Sequence, residues 1–141
     1  MKNTVIKELN HFLEGNFMAI HAYEKYIHHI DDLDLKQTLQ KIQQDHKQHA
    51  TMIAERIQNL GGIPVDDVGI QGTIAEFVKN FTESTNGTTH ILKDALVGEK
   101  RGIEISQELV KGDLDSESLE LVKKILNHDE KHVNLLDKLI H

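Results

Sequence analysis

Six polar side chains in this 141-residue sequence occupy places where the surrounding pattern is apolar. They are Asn16, His46, His49, Glu99, Asp129 and His132. His46 with His49, and Asp129 with His132, are three residues apart, a spacing that puts both members of a pair on one face of a helix. Because imidazole nitrogens and carboxylate oxygens bind transition metals, this set predicts a metal centre in a helical core.

The absence of cysteine narrows the chemistry that this set could perform. Disulfides, thiolate nucleophiles, iron–sulfur clusters and cysteine zinc sites are all excluded. A buried polar group without a partner costs roughly 1 to 3 kcal/mol, so something must satisfy these side chains. Two interpretations remain open: a bound metal ion, or a metal-free structural or interaction bundle in which the same groups pair with one another.

An internal repeat accounts for the matching positions of these polar groups. Residues 9–16 align with the segment 83 residues further on, and the same offset pairs His49 with His132 and Asn16 with Glu99. A helical hairpin that occurs twice, with a histidine kept in register, indicates a site between the two halves.

Apolar residues at three- and four-residue spacing predict four long helices that could position the site. The predicted helices cover about residues 3–30, 35–60, 92–112 and 115–140. Residues 61–72, which hold the only proline, are predicted to be a crossing connection, followed by a short extra helix from Thr73 to about Thr82. Two short turns and one long crossover predict an all-α, up-down four-helix bundle.

With these motifs in place, the chain resembles the ferritin-like superfamily, in particular rubrerythrin-type proteins and small bacterial bundles of poorly assigned function. The segments that carry the resemblance are 9–16, 45–50, Gly98-Glu99 and 129–132. The resemblance implies that a Glu from each of two helices and a Glu-x-x-His from each of the other two hold a pair of iron or manganese ions. It assigns Glu99 to helix three, His49 to helix two, and Asp129-x-x-His132 to helix four.

Two positions depart from the superfamily pattern. Asn16 stands where the first helix has its Glu, and His46 stands where the second helix has the Glu of its motif. Only Glu99 and Asp129 remain as carboxylates. Three histidines and two carboxylates suit one Zn, Fe, Mn, Ni or Cu ion at least as well as a pair of ions.

The sequence therefore predicts a metal-binding ferritin-like protein, with iron first and zinc or manganese as alternatives. If the centre is catalytic, we expect oxidation of Fe(II) or reduction of peroxide, with Asn16 leaving a coordination place open for oxygen or water. A phosphotransfer role for His90 is disfavoured, because Asp94 would repel a phosphoryl group.

Bulk properties limit the partners and the setting. The net charge of −7, with no basic run, argues against nucleic acid or an anionic membrane as a partner. No apolar run approaches the ~20 residues of a membrane span, so we expect a soluble cytoplasmic protein. The length predicts a single domain over residues 1–141, and the long faces of the bundle could form a homodimer.

Overall fold

Four long α-helices make up most of the chain that this computed structural model describes, residues 2–67 and 87–141. They are α1 (Lys2–His28), α2 (Leu33–Asn59), α3 (Thr88–Lys111) and α4 (Ser116–Ile140). Those two ranges contain no strand and no helix long and apolar enough to cross a membrane. The predicted all-α bundle is confirmed. The short extra helix predicted from Thr73 to about Thr82 lies outside the described residues.

The second helix of each hairpin begins with the same kind of cap. The side chain of Asp32 accepts a hydrogen bond from the backbone N–H of Leu35 at 2.9 Å, which satisfies a free donor at the start of α2. Asp115, 83 residues further on, does the same for Ser118 at 3.4 Å at the start of α4. The internal repeat therefore extends to the local chemistry that starts these helices.

The two hairpins pack so that α1 and α3 run antiparallel. The Tyr26 hydroxyl donates to Asp94 Oδ2 at 2.6 Å, and the Tyr23 hydroxyl donates to Glu99 Oε1 at 3.0 Å. Since α1 and α2 are also antiparallel, α2 ends at the opposite end of the bundle from the start of α3. The two helix ends that the connection joins therefore lie at opposite ends of the bundle, which agrees with the long crossover predicted from the sequence.

The described start of that connection turns sharply and then follows α1. Gly61 adopts a positive φ of 87°, a conformation that glycine tolerates best. At Gly62 an added Cβ would lie 2.7 Å from the Ile6 side chain, so only glycine fits the close approach. Asn10 of α1 then accepts from the backbone N–H of Val65 at 2.8 Å. These contacts hold the outgoing chain against α1.

A polar layer divides the core into two apolar clusters. The cluster at the end where α1 stops includes Tyr26, Ile30, Leu39, Leu92 and Leu136. The cluster at the opposite end includes Leu9, Leu13, Ile53, Ile57 and Ile125. Buried polar residues of the layer between them are Asn16, Gln43, His46, His49, Glu99, Asp129 and His132. All six residues selected from the sequence are therefore buried in the middle of the bundle.

Candidate metal centre

Four side chains from three helices converge in the polar layer. His46 comes from α2, Glu99 from α3, and Asp129 and His132 from α4. One ligand atom of each lies within 4.8 Å of those of the other three, and all four residues are buried. We call these four residues the His/carboxylate centre. Their donor atoms are close enough to share one ion.

The carboxylate of Glu99 is the hub of the centre. Its Oε1 accepts from His46 Nε2 at 2.8 Å and from the Tyr23 hydroxyl at 3.0 Å, and it lies 3.0 Å from His132 Nδ1. Burial alone would raise the pKa of Glu99, but the charge of His46 and the polar contacts from both histidines lower it to about 2. Glu99 is therefore ionised at neutral pH although it is buried.

His132 is held between two carboxylates on one side and a third on the other. Its Nε2 donates to Asp45 Oδ2 at 2.8 Å, which leaves Nδ1 facing Glu99 and Asp129. Burial lowers the pKa of His132, but the contacts with Asp129, Glu99 and Asp45 outweigh this and raise it to about 10. A carboxylate that binds the outer nitrogen of a histidine fixes the direction of its inner nitrogen, an arrangement common at metal sites.

Several buried atoms that face the centre have no hydrogen-bond partner among the described residues. They are Nδ1 of His46, Nδ1 of His49, Nδ1 of His132 and Oδ1 of Asp129. The Nδ1 atoms of His46 and His49 lie 4.0 and 3.9 Å from Asp129 Oδ1, which is too far for a hydrogen bond. The Nδ1 atom of His132 lies 3.5 Å from the same oxygen but is not aligned for a hydrogen bond. A transition-metal ion would satisfy both kinds of atom, so the side chains present fit such an ion.

Asp129 is the less strongly acidic of the two carboxylates. Burial raises its pKa against the polar contact from His132, and the negative charge of Glu99 adds to the rise. The two carboxylates thus repel each other in a buried site. A cation between them would relieve that repulsion.

His49 borders the centre. Its Nε2 shares a hydrogen bond with His128 Nδ1 at 3.0 Å, and its Nδ1 lies 3.9 Å from Asp129 Oδ1. Burial and the positive charges of neighbouring histidines, His46 first, lower the pKa of His49 to about 4. His49 is therefore neutral at physiological pH and available as a metal ligand.

Asn16 and Tyr23 of α1 line a cavity between α1 and α3 together with Glu99. Asn16 is buried, and its Nδ2 donates to the carbonyl of Phe12 at 3.0 Å. Burial and the adjacent Glu99 raise the pKa of Tyr23 well above 10, so Tyr23 remains a hydrogen-bond donor.

Sequence reasoning did not select Asp45, and it placed His128 beside the apolar stripe, where its spacing from His132 could enlarge the site. Each lies one residue before a member of the centre, at the edge of its apolar stripe, where a side chain is usually exposed to solvent. The available signal was their spacing: Asp45 lies four residues before His49, and His128 four before His132, so each shares a helix face with a selected histidine.

The four long helices, with α1 antiparallel to both α2 and α3, and the buried histidine and carboxylate groups define a ferritin-like bundle. Residues 4–112 match the family described as a domain of unknown function, DUF2383, and the chain belongs to this family. The matched range includes Glu99 and ends before α4. No curated protein matches the sequence.

Three solved structures show the same fold. The dodecameric thioferritin of Bacteroides fragilis, a bacterioferritin-related protein, is 22% identical with a TM-score of 0.77 over 98% of this chain and 84% of that one. A ferritin-like diiron-carboxylate protein of Bacillus anthracis is 22% identical, with a TM-score of 0.73 over 99% and 97%. The bacterioferritin of Desulfovibrio desulfuricans, described with a diiron site, is 23% identical, with a TM-score of 0.78 over 99% and 79%. The ferritin-like fold is therefore confirmed.

Proposed function

We propose that this protein binds one transition-metal ion at the His/carboxylate centre. The observation that carries the proposal is the convergence of four buried ligand atoms within 4.8 Å of one another. Three buried atoms of these residues, Nδ1 of His46, Nδ1 of His132 and Oδ1 of Asp129, have no hydrogen-bond partner among the described residues. Coordination of an ion would replace the missing hydrogen bonds.

The charge of the centre supports a single ion. Glu99 and Asp129 supply two negative charges when both are ionised, which balances one divalent cation. A second divalent ion would leave two positive charges without compensation, and burying each unpaired charge costs several kcal/mol. We propose His49 as a fifth donor from the edge of the centre, and Asn16 as the side chain beside the open coordination place.

Iron is our first candidate for the ion, with zinc or manganese as alternatives. Imidazole and carboxylate donors suit all three metals, and two of the similar structures are described as diiron proteins. Bound iron would supply electron transfer with oxygen or peroxide. The chain's own residues would hold the ion: Asp45 orients His132, and Tyr23 fixes Glu99. The sequence has no cysteine for an iron–sulfur centre, so electrons would come from an external reductant.

The setting we propose is a rubrerythrin-like cytoplasmic homodimer in which residues 1–141 form one domain. The absence of cysteine is compatible with a reducing compartment. Val97, Leu135 and Leu139 are large apolar residues exposed on α3 and α4, where a second copy could cover them.

Metal analysis of protein purified without a histidine tag tests the proposal. We expect about one equivalent of metal in the wild type and a large loss in Glu99→Gln and His132→Ala. His90→Ala, which removes an exposed histidine from α3, should keep the full metal content. Circular dichroism would confirm that each variant folds. A metal content far below one equivalent in the wild type, unchanged in His132→Ala, would instead support the metal-free structural bundle.

A further inference from the structure

A cavity of about 180 Å³ lies between α1 and α3 and reaches the His/carboxylate centre. Most of its wall is apolar or aromatic, with Phe12, Ala22, Tyr23, Tyr26, Ala95 and Ile105. Buried Asn16, His46, Glu99 and Asp129 form its inner polar end, whereas exposed Arg101 lies at its outer edge. The cavity thus has an apolar body and one polar end.

Glycine on the inner side of α3 keeps this space open. Gly102 lies three residues after Glu99 and four before Ser106, both buried, so a side chain at this position would face the core. A Cβ there would meet no atom within 4 Å. Gly15 of α1 and Gly98 of α3 also line the cavity, but both are exposed, so they lie on its solvent-facing side. Protein interiors are normally close-packed, so the space left beside Gly102, between two buried residues of α3, is an unusual feature of the bundle.

A buried acceptor without a partner stands at the inner end. Asp129 is only 5% exposed and lines the cavity. Its Oδ1 accepts no hydrogen bond from any described residue. A ligand in the cavity could therefore donate a hydrogen bond to a carboxylate that the fold leaves unsatisfied.

We propose that this cavity binds a small single-ring phenol, with its hydroxyl directed at Asp129. An apolar cavity of ~150 Å³ is large enough to hold benzene, so the observed volume suits one substituted ring. Tyr23 and Tyr26 form an edge-to-face pair with ring centroids 5.2 Å apart, and Phe12 adds a third aromatic wall. Aromatic rings favour such offset or edge contacts with another ring. The amide nitrogen of Asn16 already donates to Phe12, and Nε2 of His46 already donates to Glu99. The inner end therefore offers mainly acceptor oxygens, which favours a ligand that carries a hydroxyl donor.

This inference goes beyond metal binding, and it concerns the metal-free protein, because Asp129 Oδ1 is also one of the atoms that we propose to hold the ion. Binding is therefore measured on metal-free protein, using phenol and anisole as probes. Anisole has the same ring but no donor. We expect saturable amide shifts at Ala95, Gly98 and Gly102 in two-dimensional NMR of the metal-free protein. Phenol should bind up to about tenfold tighter than anisole, because only phenol can donate a hydrogen bond to the unpaired oxygen of Asp129.

Two leucine variants of α3 separate cavity binding from surface binding. Gly102→Leu fills the cavity and should weaken phenol binding more than tenfold. Lys100→Leu adds the same side chain at an exposed position that does not line the cavity, and should leave the affinity within twofold. Equal affinity in wild type and Gly102→Leu, or no saturable shift with phenol, would overturn the proposal. Amide shifts that depend on the protein concentration rather than on the phenol concentration would show that a second copy of the chain fills the cavity. That result would also overturn the proposal. If the protein bound phenol but no metal, the metal proposal would fail and the cavity proposal would stand.

Discussion

Glu99 decides the electrostatics of the centre. One of its two carboxylate oxygens, Oε1, contacts His46, His132 and the Tyr23 hydroxyl, and these three residues lie on three other helices. These contacts keep the carboxylate ionised with a pKa of about 2. Because the negative charge is already present without metal, a cation entering the centre does not have to displace a proton from Glu99. The protons that resist metal binding are on the histidines.

Asp45 should control metal affinity without touching the metal. Its carboxylate accepts from His132 Nε2 at 2.8 Å and so directs His132 Nδ1 inward. We expect Asp45→Asn to weaken metal binding by about 10- to 100-fold, as loss of such an outer carboxylate does elsewhere, with the fold preserved. Titration of metal-free protein followed by calorimetry measures this. Glu55→Gln, an exposed change on the same helix, is the control. Equal affinities for Asp45→Asn and the control would contradict the orienting role.

Metal affinity should fall as the pH is lowered. The pKa of His132 is raised to about 10, so in the metal-free protein His132 carries an extra proton at pH 7, which a metal bound at Nδ1 must displace. The pKa of His46 is also raised, because its contacts with Glu99 outweigh burial, and this acts in the same direction. Between pH 8 and pH 6 we expect the apparent affinity to drop by about tenfold per pH unit for each proton released. Calorimetry in buffers of different ionisation enthalpy counts those protons. An affinity independent of pH, with no proton release, would be incompatible with the displacement.

Helix periodicity determines which residues of the site could be predicted from the sequence. His46, Glu99, Asp129 and His132 interrupt apolar stripes, so their burial could be predicted from spacing alone. The pairing of Asp45 with His132 could not, because it depends on how α2 and α4 are rotated against each other. The same holds for the hydrogen bond between His49 and His128, which joins two residues 79 positions apart.

At the scale of elements, the two hairpins share a plan but differ in how their ends are tied. Asp32 and Asp115 cap equivalent helices, yet only Asp115 also binds Arg56, with Arg56 Nη2 2.6 Å from Asp115 Oδ2. The Arg56 side chain thus joins the end of α2 to the start of α4. The four helices and the long crossover were predictable, because stripes and turn residues are local in sequence. This tie was not, since it requires the relative position of two hairpins.

Removing the two equivalent caps should therefore have unequal effects. We expect Asp32→Ala to lower the free energy of unfolding by about 1 kcal/mol, the usual value of a cap. Asp115→Ala should lower the free energy of unfolding by the same amount, and by up to about 1 kcal/mol more for the loss of the partly exposed ion pair with Arg56. Urea denaturation at pH 7 compares the two variants, and a double-mutant cycle with Arg56→Ala isolates the pair. Equal losses, with no coupling between Arg56 and Asp115, would disprove the extra tie.

The extra stability that Asp115 contributes compared with Asp32 should disappear in acid. Burial would raise the pKa of Asp115, but its hydrogen bonds with Ser118 and its pairing with Arg56 lower it below the usual value. A lowered pKa in the folded state gives stability that is present above the ordinary pKa of ~3.9 and is lost as the pH falls through the folded value. Urea denaturation repeated below pH 4 should show the difference between Asp115→Ala and Asp32→Ala shrinking. A difference that stayed constant down to pH 2 would mean that charge on Asp115 contributes nothing.

For the whole molecule, the polar layer is the weak part of an otherwise apolar core. It separates two apolar clusters and leaves buried nitrogen and oxygen atoms without partners among the described residues. The cavity between α1 and α3 lies against the same layer. Glycines at 15, 98 and 102 were visible in the sequence, but whether they bring two helices together or hold them apart depends on the packing of the entire bundle. An ion held by residues of α2, α3 and α4 would connect three helices at this weak point.

Metal binding should accordingly stabilise the whole bundle. A ligand that binds only the folded state stabilises it by about 2.7 kcal/mol when its free concentration is 100 times Kd, which raises Tm by about 10 °C for a domain of this size. Differential scanning calorimetry of chelator-treated protein, with and without Fe(II) under anaerobic conditions or with Zn(II), measures the shift. Mg²⁺ at the same concentration is the control, because it prefers oxygen ligands and should bind this histidine-containing site poorly. Glu99→Gln should lose most of the shift. A Tm that rises equally with Mg²⁺, or equally in Glu99→Gln, would place the stabilising ion outside the His/carboxylate centre.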